Sequence, residues 1–83
     1  MREEIINWWK QAQRDLESAG NSLKSKDYYL TAFLCQQSVE KGLKALLMIK
    51  TKERIFSTHS LVELGKRAKV SNEIMDCLRK LAP

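Results

Sequence analysis

Hydrophobic positions at the start of the chain follow the spacing of an α-helix. Apolar side chains recur at intervals of four, three, four, three and four residues: Ile5, Trp9, Ala12, Leu16, Ala19 and Leu23. Because this spacing keeps them on one face, it predicts a first helix from about Glu3 to about Leu23 with the stripe facing the core. Trp8 lies about 100° from Trp9 around such a helix, so we expect Trp8 to face the rim of the bundle or a second subunit.

The segment from Tyr28 to Lys50 is apolar on more than one face. It contains one glycine and no proline, and Asp27 in front of it is a good N-cap residue. One apolar stripe runs along it: Ala32, Cys35, Val39, Leu43 and Leu46. Other apolar side chains lie off that stripe: Tyr29, Phe33, Leu34, Leu47 and Met48. We therefore predict that this second helix is the longest and central one, packed on the bundle with one side and on a second subunit with the other.

Two shorter helices are expected after it. The sequence Ser60-Leu61-Val62-Glu63 has the S-x-x-E pattern of a capping box and predicts the start of a third helix, with Thr58 as an alternative cap. The inward positions of that helix are Leu61, Leu64 and Ala68. Ser71 is the predicted cap of a fourth helix, whose apolar residues are Ile74, Met75, Leu78 and Leu81. Short loops favour antiparallel neighbours, so we expect one all-α domain over residues 1–83, an up-and-down four-helix bundle.

The length and hydropathy of the chain bear on assembly and location. A domain of 83 residues has a thin core and often gains stability from association. We predict a homodimer in which Trp8, Tyr29 and Phe33 contact the second copy. The N-terminus lacks the apolar region of a signal peptide, and no apolar run approaches the roughly 20 residues that span a bilayer. The expected location is cytoplasmic, without membrane contact.

The chain offers few ligands for a metal ion. It has two cysteines, Cys35 and Cys77, and one histidine, His59. The cysteines are far apart, form no C-x-x-C pattern, and do not complete a usual zinc set with one histidine. We therefore expect no metal and no cofactor, and both cysteines as reduced, buried thiols.

The net charge of +5 lies entirely in the second half of the chain. Residues 1–41 carry six basic and six acidic side chains, whereas residues 42–83 carry nine basic and four acidic ones. A basic cluster attracts nucleic acid or other phosphates. The candidate nucleotide- or phosphate-binding residues are Lys50, Lys52, Arg54, Lys66, Arg67 and Lys69. The alternative is an ordinary solvated surface that keeps the protein in solution.

Polar residues interrupt the second helix in a characteristic order: Gln36, Gln37, Glu40, Lys41 and Lys44. The run QQ-x-x-EK-x-x-KALL, followed by a variable loop and Thr58-His59-Ser60-Leu61, resembles the HEPN family of small prokaryotic helical proteins. The resemblance covers about residues 5–68 and includes the aromatic-rich start of the second helix. It implies a helical bundle that usually forms a homodimer, binds nucleotide or RNA, and accompanies a minimal nucleotidyltransferase. Since family members commonly continue beyond the fourth helix, the chain is either a reduced form or part of a longer one.

The same resemblance raises the question of catalysis. Some HEPN branches are metal-independent ribonucleases with an Arg-x4-6-His motif shared across a dimer, and Arg54 and His59 match that spacing. In those nucleases the motif belongs nearer the C-terminal helices than this loop. Histidine titrates near neutral pH and can move a proton, and arginine presents a planar fork to phosphate, so cleavage by the RNA's own 2′-hydroxyl needs no metal.

Three roles stay open for His59. It either bonds a neighbouring polar group such as Glu40 or Gln36, binds phosphate, or acts as a catalytic base with Arg54. We rank the structural role first. The expected function is accordingly a non-catalytic or weakly catalytic nucleotide- or RNA-binding dimer that works with a nucleotidyltransferase. The alternatives are a metal-independent ribonuclease toxin of a toxin–antitoxin pair and a pure protein-interaction module.

Overall fold

Four α-helices account for almost all of the backbone that the structure describes. A computed structural model describes residues 2–51 and 60–81. The helices are α1 (Arg2–Lys24), α2 (Tyr28–Thr51), α3 (Leu61–Ala68) and α4 (Asn72–Leu81). No strand occurs within those two ranges, and α2, with 24 residues, is the longest helix. The predicted all-α four-helix architecture is therefore confirmed. None of the four helices is long and apolar enough to cross a membrane.

Short polar side chains cap three of the helices where the sequence predicts caps. The Asp27 carboxylate accepts a hydrogen bond from the Leu30 backbone N–H at 3.2 Å, at the start of α2. The Ser60 hydroxyl accepts from the Glu63 N–H at 3.2 Å. In the same way Ser71 accepts from the N–H three residues later, at 3.3 Å. Each bond satisfies a donor that the first turn of a helix leaves without an intrahelical partner. Thr58, the alternative cap, lies outside the described residues.

The hydrophobic core is built from α2, α3 and α4. Its buried members are Leu43, Leu47, Leu61, Leu64, Ala68, Met75 and Leu78. The predicted inward side of α3 is thus confirmed. On α4 the predicted apolar residues Met75 and Leu78 are buried, whereas Ile74 and Leu81 are exposed. On α2, Leu47 and Met48 are fully buried although they lie off the predicted stripe, whereas Ala32 on that stripe is exposed.

Helix α1 packs on α2 through small side chains instead. Its buried residues are Ala12, Ala19 and Ser22. The Ser38 hydroxyl of α2 donates to the Ala12 carbonyl at 2.7 Å, and the hydroxyls of Ser22 and Thr31 are 2.7 Å apart. Side chain-to-backbone bonds of this kind require the two helices to approach closely. Small residues on the contact line make that approach possible, as they do wherever helix backbones come near each other.

The large members of the predicted α1 stripe are therefore not in the core of the chain. Trp9 is 54% exposed, Leu16 60% and Leu23 53%. The small side chains at Ala12 and Ala19 point at α2, and the neighbouring large ones are pushed to the edge of that contact. The two tryptophans are reversed relative to the prediction: Trp8 is half-buried against α2, and Trp9 faces outward.

The contact between α3 and α4 depends on Gly65. A Cβ atom built at this position would overlap Leu78 Cδ1 and would lie 2.8 Å from Met75 Sδ. Both of these side chains are buried in the core, so they would have to repack against their neighbours to make room. The absence of a side chain at Gly65 thus lets α4 pack closely on the α3 backbone.

We expect Gly65→Ala to destabilise the protein. Overpacking a core typically costs about 1–3 kcal/mol, which outweighs the gain of up to about 1 kcal/mol from replacing a helical glycine. Gly20→Ala is the matched control, because a Cβ at Gly20 meets nothing within 4 Å. Thermal unfolding should give a lower Tm for Gly65→Ala and an equal or higher Tm for Gly20→Ala. If both variants shift Tm upward, α3 and α4 are not in close contact at Gly65.

Candidate functional site

Of the five polar residues that define the sequence motif on α2, Glu40 and Lys44 are buried and the other three are half-buried. The ammonium group of Lys44 lies 3.0 Å from a carboxylate oxygen of Glu40, and both side chains are less than a tenth exposed. The same ammonium lies 5.0 Å from the centroid of the Trp8 ring on α1. A cation is attracted to the face of an aromatic ring, and the attraction is stronger away from water. The buried charge of Lys44 is therefore balanced from two sides, by a carboxylate and by a π-system.

A second lysine of the motif also connects α2 to α1. The ammonium of Lys41 lies 2.6 Å from a carboxylate oxygen of Asp15, and the two side chains are about one-fifth exposed. Charge-assisted hydrogen bonds of this length are among the stronger polar contacts in proteins. Lys41 and Lys44 thus hold the helix pair together from one face of α2. Sequence reasoning missed both of their α1 partners, Asp15 and Trp8, because pairing between helices leaves no spacing signal within either one.

The two glutamines of the motif lie elsewhere on α2. Gln36 lines a small cleft of about 290 Å³ between the start of α2 and the end of α4, together with Tyr29, Phe33 and Lys80. Gln37 is half-buried. Tyr29 is 88% exposed and Phe33 about half exposed, so neither predicted dimer contact is covered within the single chain. Whether a second copy covers them stays a prediction.

Basic side chains surround the C-terminal end of α3. Lys50, at the end of α2, donates from its ammonium to the Ala68 carbonyl at 2.8 Å. Lys66 and Arg67 belong to the last turn of α3 and are exposed. Lys69 caps the helix in the left-handed conformation, and its N–H donates to the carbonyls of Gly65 and Lys66. Four of the six predicted phosphate-binding residues are therefore neighbours around one helix end.

The remaining candidates fall in the segment that the structure does not describe. Lys52, Arg54 and His59 all lie within residues 52–59, so the proposed catalytic pair and its relation to Glu40 or Gln36 are outside the described residues. Glu40 pairs with Lys44, as described above. Within the described ranges no group of three or more histidine, cysteine or acidic side chains has the arrangement of a metal site.

The two cysteines differ in environment. Cys35 is half-buried on α2, and Cys77 is exposed on α4. The prediction that both are buried is therefore wrong for Cys77. The reason is that α4 turns Met75 and Leu78 toward the core, and Cys77 lies between them on the outer side.

Comparison with known proteins gives one family. The sequence model described as the HEPN domain matches residues 5–83, which is nearly the whole chain. No curated protein and no solved structure gives a significant match. The match extends beyond the resemblance seen in the motif alone, through α4.

The buried pair of Glu40 and Lys44 gives a test of whether the motif is structural. We expect Glu40→Ala to cost about 3–5 kcal/mol, because it leaves a buried ammonium without its carboxylate. The double variant Glu40→Leu/Lys44→Met removes both charges and should cost much less than that. Urea unfolding measures both free energies.

The exposed pair of Asp76 and Arg79 on α4 is the control, since its atoms are also 3.0 Å apart. Asp76→Ala should cost less than about 1 kcal/mol, as expected for a pair in contact with water. A small effect for Glu40→Ala, similar to that of Asp76→Ala, would contradict a structural role for the motif.

Proposed function

The chain belongs to the HEPN domain family, and on that premise we propose that it is a non-catalytic or weakly catalytic RNA-binding dimer. Its ligand is single-stranded RNA or a nucleotide, bound through phosphate. Its protein partner is a minimal nucleotidyltransferase of the kind that accompanies this family. The neighbouring reading frame tests the partner: a minimal nucleotidyltransferase encoded there would favour this proposal over a pure protein-interaction module.

The observation that carries the proposal is the basic surface at the end of α3. Lys66 and Lys69 are exposed there, and Lys50 is held beside them by its bond to the Ala68 carbonyl. Phosphate groups bind such clusters with release of counterions, which makes affinity depend steeply on salt. The surface needs no metal and no deep pocket to bind an RNA backbone.

A structural explanation of the same charges exists. Lysine and arginine in the last turn of a helix interact favourably with its negative end, typically by about 0.3–1 kcal/mol. Lys66 and Arg67 have that position in α3. The two explanations make different predictions, because only an RNA-binding surface gives salt-dependent association.

We expect a labelled single-stranded oligouridylate to bind with a log–log salt slope of about −0.7 for each phosphate neutralised. Replacing Lys66 and Lys69 with glutamate should weaken binding and make the slope shallower by about 1.4. Fluorescence anisotropy at several salt concentrations measures both quantities.

Two lysines at the junction of α1 and α2 are the matched control: Lys24, the last residue of α1, and Lys26, in the turn that follows it. Both are exposed and lie before the N-terminal end of α2, whereas α3 packs near the C-terminal end of α2. Glutamate at Lys24 and Lys26 changes the net charge by the same amount and should have a smaller effect on RNA binding. Equal effects of the two double variants would indicate a non-specific response to net charge.

The ribonuclease alternative depends on Arg54 and His59. If His59 has the structural role that we rank first, His59→Ala lowers stability by about 1–3 kcal/mol, the cost of breaking one buried hydrogen bond, and the parent protein cleaves no RNA. Thermal unfolding and an RNA cleavage assay with EDTA measure the two outcomes. An EDTA-resistant cleavage activity that both His59→Ala and Arg54→Ala abolish, with Tm unchanged, would make the toxin the better assignment.

A further inference from the structure

An apolar groove runs along one side of the helix pair formed by α1 and α2. It has a volume of about 490 Å³, and its walls are side chains of both helices: Ile5, Ile6, Trp9, Lys10, Gln13, Gly42, Ala45, Leu46 and Ile49. Helices α3 and α4 pack on a different face of α2, through Leu43 and Leu47, and leave this side open. The groove is thus a surface of the single chain.

The groove and the stripe that continues it expose large apolar side chains. Trp9, Leu16 and Leu23 are each more than half exposed along α1, and Ile49 is more than half exposed on α2. The first three are spaced by seven residues, two turns of helix apart. This is the spacing with which one helix packs against another in a coiled coil. The surface is therefore suited to a helix.

The same surface presents a projection and a depression. Trp9 is the largest exposed side chain on α1 in the groove. Opposite it on α2 lie Gly42, where an added Cβ would meet nothing within 4 Å, and the buried methyl group of Ala45. A surface that carries both a knob and a hole is able to pack on a copy of itself, which is the requirement for a twofold interface.

We propose that the groove is where a second copy of this chain binds, with Trp9 of each subunit seated over Gly42 and Ala45 of the partner subunit. The inference rests on the homodimer of the proposed function and specifies which face forms it. Two helix pairs then meet along their α1–α2 grooves. Trp8, Tyr29 and Phe33, the contacts predicted from the sequence, are outside the centre of this interface.

The size of the surface agrees with a dimer. A large apolar side chain that is about half exposed presents on the order of 100 Å² to solvent. The five such residues along the groove and the stripe that continues it therefore present roughly 500 Å² of apolar surface. These five are Ile6, Trp9, Leu16, Leu23 and Ile49. A standard interface takes about 800 Å² from each partner, including a polar rim. A patch of about 500 Å² is at the upper end of what a monomer leaves in water.

The chemistry of the groove favours a second copy over a charged partner. Lys10 is its one charged wall residue, so an acidic or basic peptide would find little to pair with. A second copy presents the matching surface: the Trp9 side chain, the depression at Gly42 and Ala45, and the apolar stripe of α1.

The test is the mass of the full chain by sedimentation velocity at micromolar concentration. The parent protein should sediment at about twice the chain mass of 9.6 kDa. Gly42→Leu should fill the hole, and Trp9→Ala should remove the knob, each raising the dimer dissociation constant at least about tenfold. Gly42→Leu is expected to keep the fold, because a Cβ at this position meets nothing within 4 Å. Trp9 is exposed, so Trp9→Ala tests the same contact independently of Gly42.

The double variant Trp9→Ala/Gly42→Leu tests whether the two sites meet. If the introduced leucine side chain occupies the space that the Trp9 ring vacates, the dissociation constant of the double variant rises by less than the product of the two single effects. The control is Tyr29→Ala, which removes an exposed aromatic outside the groove and should leave the dimer unchanged.

Each outcome has a definite meaning. A dimer that survives both single variants, or that Tyr29→Ala dissociates instead, overturns the groove as the interface and leaves the proposed homodimer standing. Single variants that dissociate the dimer without any compensation in the double variant overturn the contact between Trp9 and Gly42. A monomeric parent protein overturns both the groove and the homodimer, while RNA binding is judged by its own salt dependence.

Discussion

The close approach of α1 to α2 is the constraint on which the rest of the molecule depends. Ala12 and Ala19 leave so little side chain on the contact line that the Ser38 hydroxyl reaches the Ala12 carbonyl at 2.7 Å. Because the line is filled by small groups, the pair gains little apolar burial there. The polar contacts beside it, and the large side chains at its edges, then determine how α1 is held and what it leaves exposed.

The lysines of α2 add polar contacts to this helix pair. Lys41 and Lys44 reach across to Asp15 and Trp8, and Glu40 balances the more deeply buried of the two ammonium groups. A motif of glutamine, glutamate and lysine suggests a ligand site when it is considered in isolation. In this fold two residues of the motif, Lys41 and Lys44, instead make contacts that hold α2 to α1. The basic side chains proposed to bind phosphate lie around the end of α3, outside the motif.

Local signals in the sequence predict this fold well, and contacts between helices much less so. The caps at Asp27, Ser60 and Ser71 are short-range features, and each is predicted from its residue type and spacing alone. The period of the α1 stripe predicts its helix correctly but not its orientation. In a stripe of alternating small and large residues, either the small or the large side chains can face the next helix. Periodicity alone does not tell which of the two sets does so. The reversal of Trp8 and Trp9 follows from that ambiguity. The groove could not be predicted for the same reason, since it exists only where two helices lie side by side.

The main contacts join consecutive helices, α1 to α2, α2 to α3 and α3 to α4, and this order has a consequence for synthesis on the ribosome. Helices α1 and α2 can pair once Thr51 has left the exit tunnel. The core side chains of α2, such as Leu43 and Leu47, are covered only after Met75 and Leu78 have also emerged. A nascent chain between these two points is a helical hairpin with apolar side chains on two sides. Exposed surface of that kind makes partly folded chains prone to aggregation. The apolar surface of this hairpin is therefore open to aggregation until α3 and α4 have also left the tunnel and packed on α2.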